Sequence, residues 1–269
     1  MISIKEIDGG NPLDWGKTSE DYAKYRDIYP DAFYSKIVEL GLCTKGQNVL
    51  DLGTGTGVLP RNLYKHGANF IGADISENQI EWARRLSAEA GLDIDYIVSS
   101  AEDVCFSAKT FDVITACMCF RYLNKDIVLP KIHEMLKDDG RFCVIFMWYL
   151  TNESAIADYS VNLMKKFNPT WTDANVFRRC ALFTPKWSEA LFIAKDAVSF
   201  DIPVHFTRES WHGRILTTRA IGPSTLSKVE NEAFEREHIE FLNNQPESFD
   251  ILHFVTIQTF QKRLTEAKK

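Results

Sequence analysis

This chain predicts a doubly wound α/β sheet, and two observations carry that expectation. Apolar strand-like runs alternate with helix-like patterns five times between residues 48 and 147. The candidate motifs fall where those runs end, and in open α/β sheets that edge binds ligands. The first run, Asn48 to Leu52, is short and apolar, as a buried parallel strand requires. Gly53-Thr54-Gly55-Thr56-Gly57 follows at once, and then a pattern with Leu59, Leu63 and Tyr64 on one face. Strand, glycine loop and helix start form a cradle. Glycine lets the backbone approach a ligand, and the first helical N–H groups point at its polar end.

The remaining elements follow in order. Residues 18–41 read as two helices broken at Pro30, the second stopping at Gly41. A helix after the glycine loop runs to His66 and stops at Gly67. The second strand, 69–74, ends in Phe70-Ile71-Gly72-Ala73-Asp74, and Ser76 caps a helix that runs to Gly91. Strands three and four are expected at 94–98 and 111–116. A helix from Val128 to Leu136 ends in a turn at Asp138-Asp139-Gly140, and strand five runs from Arg141 to Met147. Beyond it, 151–196 carry two helical patterns. Ala197 to His205 is extended, Ser210–Arg219 and Leu226–Leu242 are helical, and Ile251 to Phe260 is a long β-type stretch. The two extended stretches close the sheet at seven strands, mostly parallel, with the last one antiparallel.

Composition narrows the function. The chain has 269 residues, 45% hydrophobic and 25% charged, which is ordinarily globular. A net charge of −6 disfavours an extended phosphate-backbone footprint, so small molecules are the expected partners rather than nucleic acid. Met1 to Glu6 has no basic start followed by an apolar core, so no signal peptide is expected. The longest apolar run, around Phe142 to Leu150, is far too short for a bilayer. No membrane association is expected, and the expected compartment is the cytoplasm. The six cysteines form no CxxC pair, and no His pair stands near Cys117 and Cys119 to complete a zinc site. They read as reduced thiols, with no metal.

The cradle's ligand follows from spacing. Asp74 lies 23 residues beyond Asp51 and ends the second strand, where a carboxylate accepts both hydroxyls of a ribose. The dinucleotide fingerprint is G-x-G-x-x-G/A. Here the glycines run G-x-G-x-G, and Val58 takes the third glycine's place. This spacing fits ribose and adenine without a pyrophosphate.

At these residues the chain resembles the class I S-adenosylmethionine-dependent methyltransferases, of the small-molecule, UbiE-like type. The resemblance spans residues 18–147 and implies a Rossmann-like sheet with S-adenosylmethionine as cofactor. The expected organisation is one domain over 1–269. It comprises a cofactor-binding core at 18–147, helical cap insertions at 151–196 and 207–249, and a closing strand at 250–262. The resemblance implies that Asp51, Gly53, Thr54 and Gly55 border the methionine and ribose portions. Asp74 would hold the ribose hydroxyls and Ile75 would lie against the adenine. Ser100-Ala101-Glu102-Asp103 reads by itself as a solvated loop and helix cap. In the family such a loop borders the adenine, which makes Ala101 and Glu102 cofactor contacts. Cys117, at the end of strand four, becomes a main-chain neighbour of the methionine part. Tyr22-Ala23-Lys24-Tyr25-Arg26-Asp27-Ile28-Tyr29-Pro30 resembles the family's Tyr-x-x-Tyr-Arg-x-x-Tyr-Pro segment. This adds Tyr25 and Arg26, the latter for the methionine carboxylate. The same residues also read as a plain aromatic helix face.

Catalysis is expected to rest mainly on in-line positioning of a small-molecule acceptor. Phe120, Trp148, Tyr149, Trp211 and Arg214 are candidate acceptor contacts, with plain packing as the equal alternative. His212 is a candidate general base, although a lone helical His is more often simply hydrogen-bonded. The family's usual His-aromatic pair is missing near Arg121 and Tyr122, so no catalytic role is carried over. The Asn/Asp-Pro-Pro-aromatic signature of base-modifying enzymes is missing too, which argues against a DNA substrate. Two other readings stay open. One is a non-catalytic S-adenosylmethionine-binding protein. The other is an NAD(P)-dependent oxidoreductase, which the missing third glycine disfavours. An exposed aromatic cap would also allow a homodimer.

Overall fold

The computed structural model describes residues 3–5, 7–172, 177–182 and 184–264. Seven strands form one sheet in the order β3-β2-β1-β4-β5-β7-β6. They are β1 (Asn48–Leu52), β2 (Asn69–Asp74), β3 (Asp95–Val98), β4 (Phe111–Cys117), β5 (Leu136–Tyr149), β6 (Phe192–Thr207) and β7 (Ser248–Lys262). Parallel pairing joins β1 to β2, β2 to β3, β1 to β4 and β4 to β5. β7 runs antiparallel to its neighbours. On the β6 side Asp196 N–H donates to Thr259 Oγ1, and His205 meets Asp250. On the β5 side Lys262 Nζ donates to Leu136 O, and Leu150 N–H donates to Leu252 O. The expected mixed sheet is the one observed.

The helices are α1 (Ser19–Tyr25), α2 (Asp31–Glu39), α3 (Val58–Leu63), α4 (Glu77–Glu89), α5 (Lys125–Met135), α6 (Ala155–Phe167), α7 (Arg208–Leu216) and α8 (Lys228–Asn243). Ser76 caps α4 by accepting from Gln79 N–H, as expected. α7 stops before Arg219 because the Thr217 and Thr218 hydroxyls donate back to Arg214 O and Ile215 O, competing with the helix ladder. α8 opens with a capping box, Ser227 with Glu230.

Two spans differ from the sequence reading. The Asp138-Asp139-Gly140 turn is not a separate element; it lies within β5. The ladder to β4 shifts there, pairing Phe111 with Leu136 and then Val113 with Arg141. Lys137 Nζ spans the irregularity by binding both Asp112 carboxylate oxygens at 2.8 Å. β6 begins at Phe192 rather than Ala197, inside a stretch read as helical.

Within the described residues the chain divides into two compact units. The first is Met1–Pro30, Trp148–Cys180 and Asp201–Phe254; the second is Asp31–Met147, Ala181–Phe200 and Val255–Lys269. Residues 18–30, grouped by sequence with the 18–147 core, belong to the first unit. β5, β6 and β7 each pass from one unit into the other along the chain. No helix among the described residues is long and apolar enough to cross a membrane.

The second unit is built on β1–β4. Its core runs through Leu50, Leu52, Ile114 and Ala116 on the strands and Val128, Leu129 and Ile132 on α5. Phe142 of β5 sits at its centre, fully buried, with Phe120, Phe192 and Phe260 rings 5.4, 6.0 and 6.3 Å away. Phe142→Ala should cost about 3–5 kcal/mol, the transfer free energy plus the cavity left by the ring. The free energy of urea unfolding checks this, and a loss smaller than that of an exposed-site control would show that this aromatic cluster is not the core's keystone.

Candidate functional site

In the second unit the cradle is built almost entirely from backbone. Gly53, Gly55 and Gly57 all take left-handed φ, at +65°, +57° and +73°. Space adds to the requirement at two of them. A Cβ on Gly53 would lie 2.6 Å from the Cys119 Cβ, and one on Gly57 would lie 2.3 Å from the Tyr96 hydroxyl oxygen. Thr54 N–H donates to Ala73 O at 2.9 Å, which ties the loop to the end of β2.

Asp74 closes the cradle. One carboxylate oxygen accepts from Gly55 N–H and the other from Ser76 N–H, both at 2.9 Å. Its two oxygens offer about four lone pairs, more than the donors they meet. Burial pushes the Asp74 pKa up, and the N–H donors of Ser76, Gly55 and Ile75 oppose that shift. Asp51 lies beneath, 2% exposed, accepting from the Thr115 hydroxyl at 2.6 Å. Burial pushes its pKa up to about 6, against the pull of the Thr115 and Thr54 hydroxyls. Beside Asp74 two apolar side chains face outward: Ile75, next in the chain, is 46% exposed, and Val98, paired with Asp74 on β3, 47%.

The end of β4 lies on the other side of β1. Cys117 is its last residue, Met118 takes a left-handed φ of +62°, and the Cys119 thiol donates to Leu52 O. Ala101 packs against the core. The Glu102 carboxylate accepts from Asn124 N–H at 2.7 Å, at the start of α5, and Lys131 Nζ binds its carbonyl. Phe120 is buried against Phe142 and Trp187. The structure therefore brings together Asp51, Gly53, Thr54, Gly55, Asp74, Ile75 and Cys117 at the C-terminal strand ends. Thr115, Tyr96, Val98 and Cys119 were missed by sequence reasoning. Thr115 has a signal once the strand order is known, because β1–β4 register sets it opposite Asp51.

The other candidates lie in the first unit. α1 and α7 pack closely: a Cβ on Gly213 would meet the Tyr25 ring at 2.3 Å. The Tyr25 hydroxyl donates to Glu209 at 3.0 Å. Arg26 is anchored on Thr217, through Nε to the hydroxyl at 2.9 Å and Nη2 to the carbonyl at 2.7 Å. Trp148 donates its indole N–H to Arg178 O. Tyr149 stacks on Phe177 with ring centroids 4.5 Å apart, and Trp211 meets Tyr149 edge-on at 5.2 Å. Arg214, on the same helix as Trp211, is 5% exposed.

His212 belongs to a polar chain. Trp211 Nε1 donates to Ser160 Oγ, Ser160 Oγ pairs with His238 Nε2 at 2.9 Å, and His238 Nδ1 meets His212 Nδ1 at 2.8 Å. Two Nδ1 atoms at that distance share one proton, so the two rings are never both cations. Burial lowers the pKa of His212 to about 4 and of His238 to about 3, with His212's charge adding to the latter. A ring with that pKa is a hydrogen-bonding partner at neutral pH and a weak proton acceptor. His253, fully buried, is lowered to about 3 by burial as well.

Residues 49–140 match the family model for a methyltransferase domain. A "Ubiquinone biosynthesis O-methyltransferase" of Mesorhizobium japonicum is 34% identical over 97 residues, covering 36% of this chain and 39% of that protein. One of the same name from Coxiella burnetii is 40% identical over 103 residues, covering 38% and 42%. The chain thus spans about two fifths of the curated relatives it matches. Among solved structures, the YcgJ protein of Bacillus subtilis superposes with a TM-score of 0.56 at 20% identity, covering 87% of this chain and all of that one. A putative type II methyltransferase from Anaeromyxobacter dehalogenans gives 0.58 at 18% identity, covering 88% and 97%. These likenesses establish the Rossmann-like fold.

Two measurements test this geometry. Gly57→Ala should lose about 1–2 kcal/mol from the left-handed backbone alone, and more because Tyr96 must move. Urea unfolding at pH 7 checks it; an unchanged midpoint would mean that the loop re-forms without cost. The buried histidines set a pH dependence. Their folded pKa values lie below the unfolded 6.5, so the unfolded chain binds protons that the folded one refuses. Their contribution is complete above pH 6.5 and is lost as pH falls toward 3–4. The slope is about 1.4 kcal/mol per pH unit for each independent ring. Unfolding midpoints at pH 7.5 and pH 5 should fall apart accordingly, and His253→Leu should flatten the difference; an equal slope in that variant would remove His253 from the account.

Proposed function

We propose that the protein is an S-adenosylmethionine-dependent methyltransferase (EC 2.1.1.-) acting on a small molecule in the cytoplasm. The observation that carries this reading is the Asp74 carboxylate, held by Gly55 and Ser76 N–H at the mouth of a loop of left-handed glycines. The residues present fit the cofactor. The space that side chains at 53 and 57 would need is taken by Cys119 and Tyr96, so only backbone lines the loop at those points. The free lone pairs of Asp74 suit a ribose diol, and Ile75 with Val98 offers an apolar face for adenine. Backbone at 53–55 and at Cys117 would border the amino-acid end, with Ala101 and Glu102 beside the base. Arg26 would serve the methionine carboxylate, with Tyr25 as a further cofactor contact.

When bound, S-adenosylmethionine supplies an electrophilic methyl group on a sulfonium. The chain's contribution is to orient, to exclude water and to fix the acceptor's approach. The matched segment 49–140 contains the cradle. Acceptor choice rests on residues outside the cradle. Trp148, Tyr149, Trp211 and Arg214 are the proposed contributors, with Phe120 from within the matched segment. The similarity to proteins named ubiquinone biosynthesis O-methyltransferase supports transfer to oxygen.

Calorimetric titration with S-adenosylhomocysteine, S-adenosylmethionine and NAD⁺ tests the reading. The first two should bind and NAD⁺ should not. Asp74→Ala should weaken S-adenosylhomocysteine by about 1–3 kcal/mol, roughly 5- to 150-fold, the cost of leaving buried hydroxyl donors unpaired. Unchanged affinity in that variant would remove the ribose assignment, and binding of NAD⁺ instead would overturn the reading.

A further inference from the structure

We propose that the Arg214 guanidinium, in the first unit, binds the carboxylate of the small-molecule acceptor. This rests on the methyltransferase reading and adds to it the acceptor's chemical class. Arg214 Nε and Nη1 are buried and find no hydrogen-bond partner among the described residues. Arginine has five N–H donors and stays charged in proteins, so an orphaned, buried guanidinium is among the costliest arrangements a fold can keep. Burial, with a contribution from Arg26, lowers its pKa only to about 10, and the group is a cation at neutral pH.

Among the described residues, the groups acting on its charge include no carboxylate. The groups whose charge it senses are Arg26, of like sign, and the phenols of Tyr149, Tyr29 and Tyr22. His253, on which its charge also acts, is kept neutral. The guanidinium carbon stands 5.7 Å from the Tyr149 ring centroid, a cation–π contact that offsets part of the burial without neutralising it. Arg26 spends Nε and Nη2 on neutral Thr217 oxygens. Arg219 makes the contrast. It is as buried as Arg214, and an Asp8 carboxylate stands 3.0 Å away, the two side chains 3% and 4% exposed. The same unit sets an internal anion beside one buried guanidinium, whereas no ion pair holds the other among the described residues.

The missing partner's chemistry follows. Nε or Nη1 forms, together with Nη2, a planar fork of N–H groups that matches a carboxylate bidentately. The neighbouring walls are aromatic, Tyr149 stacked on Phe177 and met edge-on by Trp211. A carboxylate on a flat, apolar body satisfies both the charge and the walls.

The test uses the full chain and matched pairs of probes: benzoate and cinnamate against benzamide and cinnamamide, titrated calorimetrically. Each acid should bind at least about tenfold more tightly than its amide. Arg214→Gln should abolish that preference and Arg214→Lys should restore part of it. S-adenosylhomocysteine affinity should stay within about twofold of wild type in both variants. Equal binding of acid and amide to the wild type overturns the proposal, and that comparison needs no variant to fold. Loss of S-adenosylhomocysteine affinity in Arg214→Gln, matching the loss of acid binding, overturns it by assigning the guanidinium to the cofactor. If the wild type binds the acids but no S-adenosylhomocysteine, the methyltransferase reading fails and the acceptor assignment falls with it.

Discussion

One carboxylate organises the second unit's ligand edge. Asp74 reaches with one oxygen to the glycine loop after β1 and with the other to the N–H of Ser76, the cap residue of α4. It therefore joins the start of two crossover connections at the end of one strand. Because β1 and β2 pair in register from Asn48–Asn69 to Leu52–Ala73, the sheet sets the spacing of those two connections. Asp74 then fixes their direction. Asp51, one strand over, is held by Thr115 from the next strand again. The cradle's shape is thus the shape of three adjacent strand ends, with few side chains of its own.

This is why the cradle was legible in the sequence. An apolar run, alternating glycines and an acid at a fixed distance are local signals, and the sheet converts them into one place. The chain's later part was less legible for equally physical reasons. After the buried Phe192, Ile193-Ala194-Lys195 of β6 are all exposed on an edge strand, so they carry no apolar alternation to betray a strand. Asp138-Asp139-Gly140 has turn chemistry, but tertiary pairing draws it into an irregular extended ladder. The capping box at Ser227 and Glu230 was readable and was passed over. The anchoring of Arg26 on Thr217 joins residues 191 positions apart, and no spacing announces it.

The first unit settles its buried polar groups in two contrasting ways. Along Trp211, Ser160, His238 and His212 every contact is a hydrogen bond between neutral groups, and such a chain gives a core one arrangement rather than several. Thr217 satisfies Arg26 while ending α7, so one residue shapes a helix terminus and steadies a cation. Trp211 and Tyr149, expected as acceptor contacts or packing, lie in the unit's interior, where their aromatic faces also pack the core.

The close approach of Gly53 to Cys119 constrains the protein's history as well as its shape. Two positions far apart in the chain compete for one small volume, and only one of them can carry a side chain there. Drift at either is conditional on the other. A larger residue at 119 would close the approach, while a side chain at 53 would need a smaller neighbour and a tolerated left-handed backbone at once. Positions 53 and 119 should therefore change together or not at all among descendants of this chain, a covariation that records van der Waals exclusion rather than any shared role in chemistry.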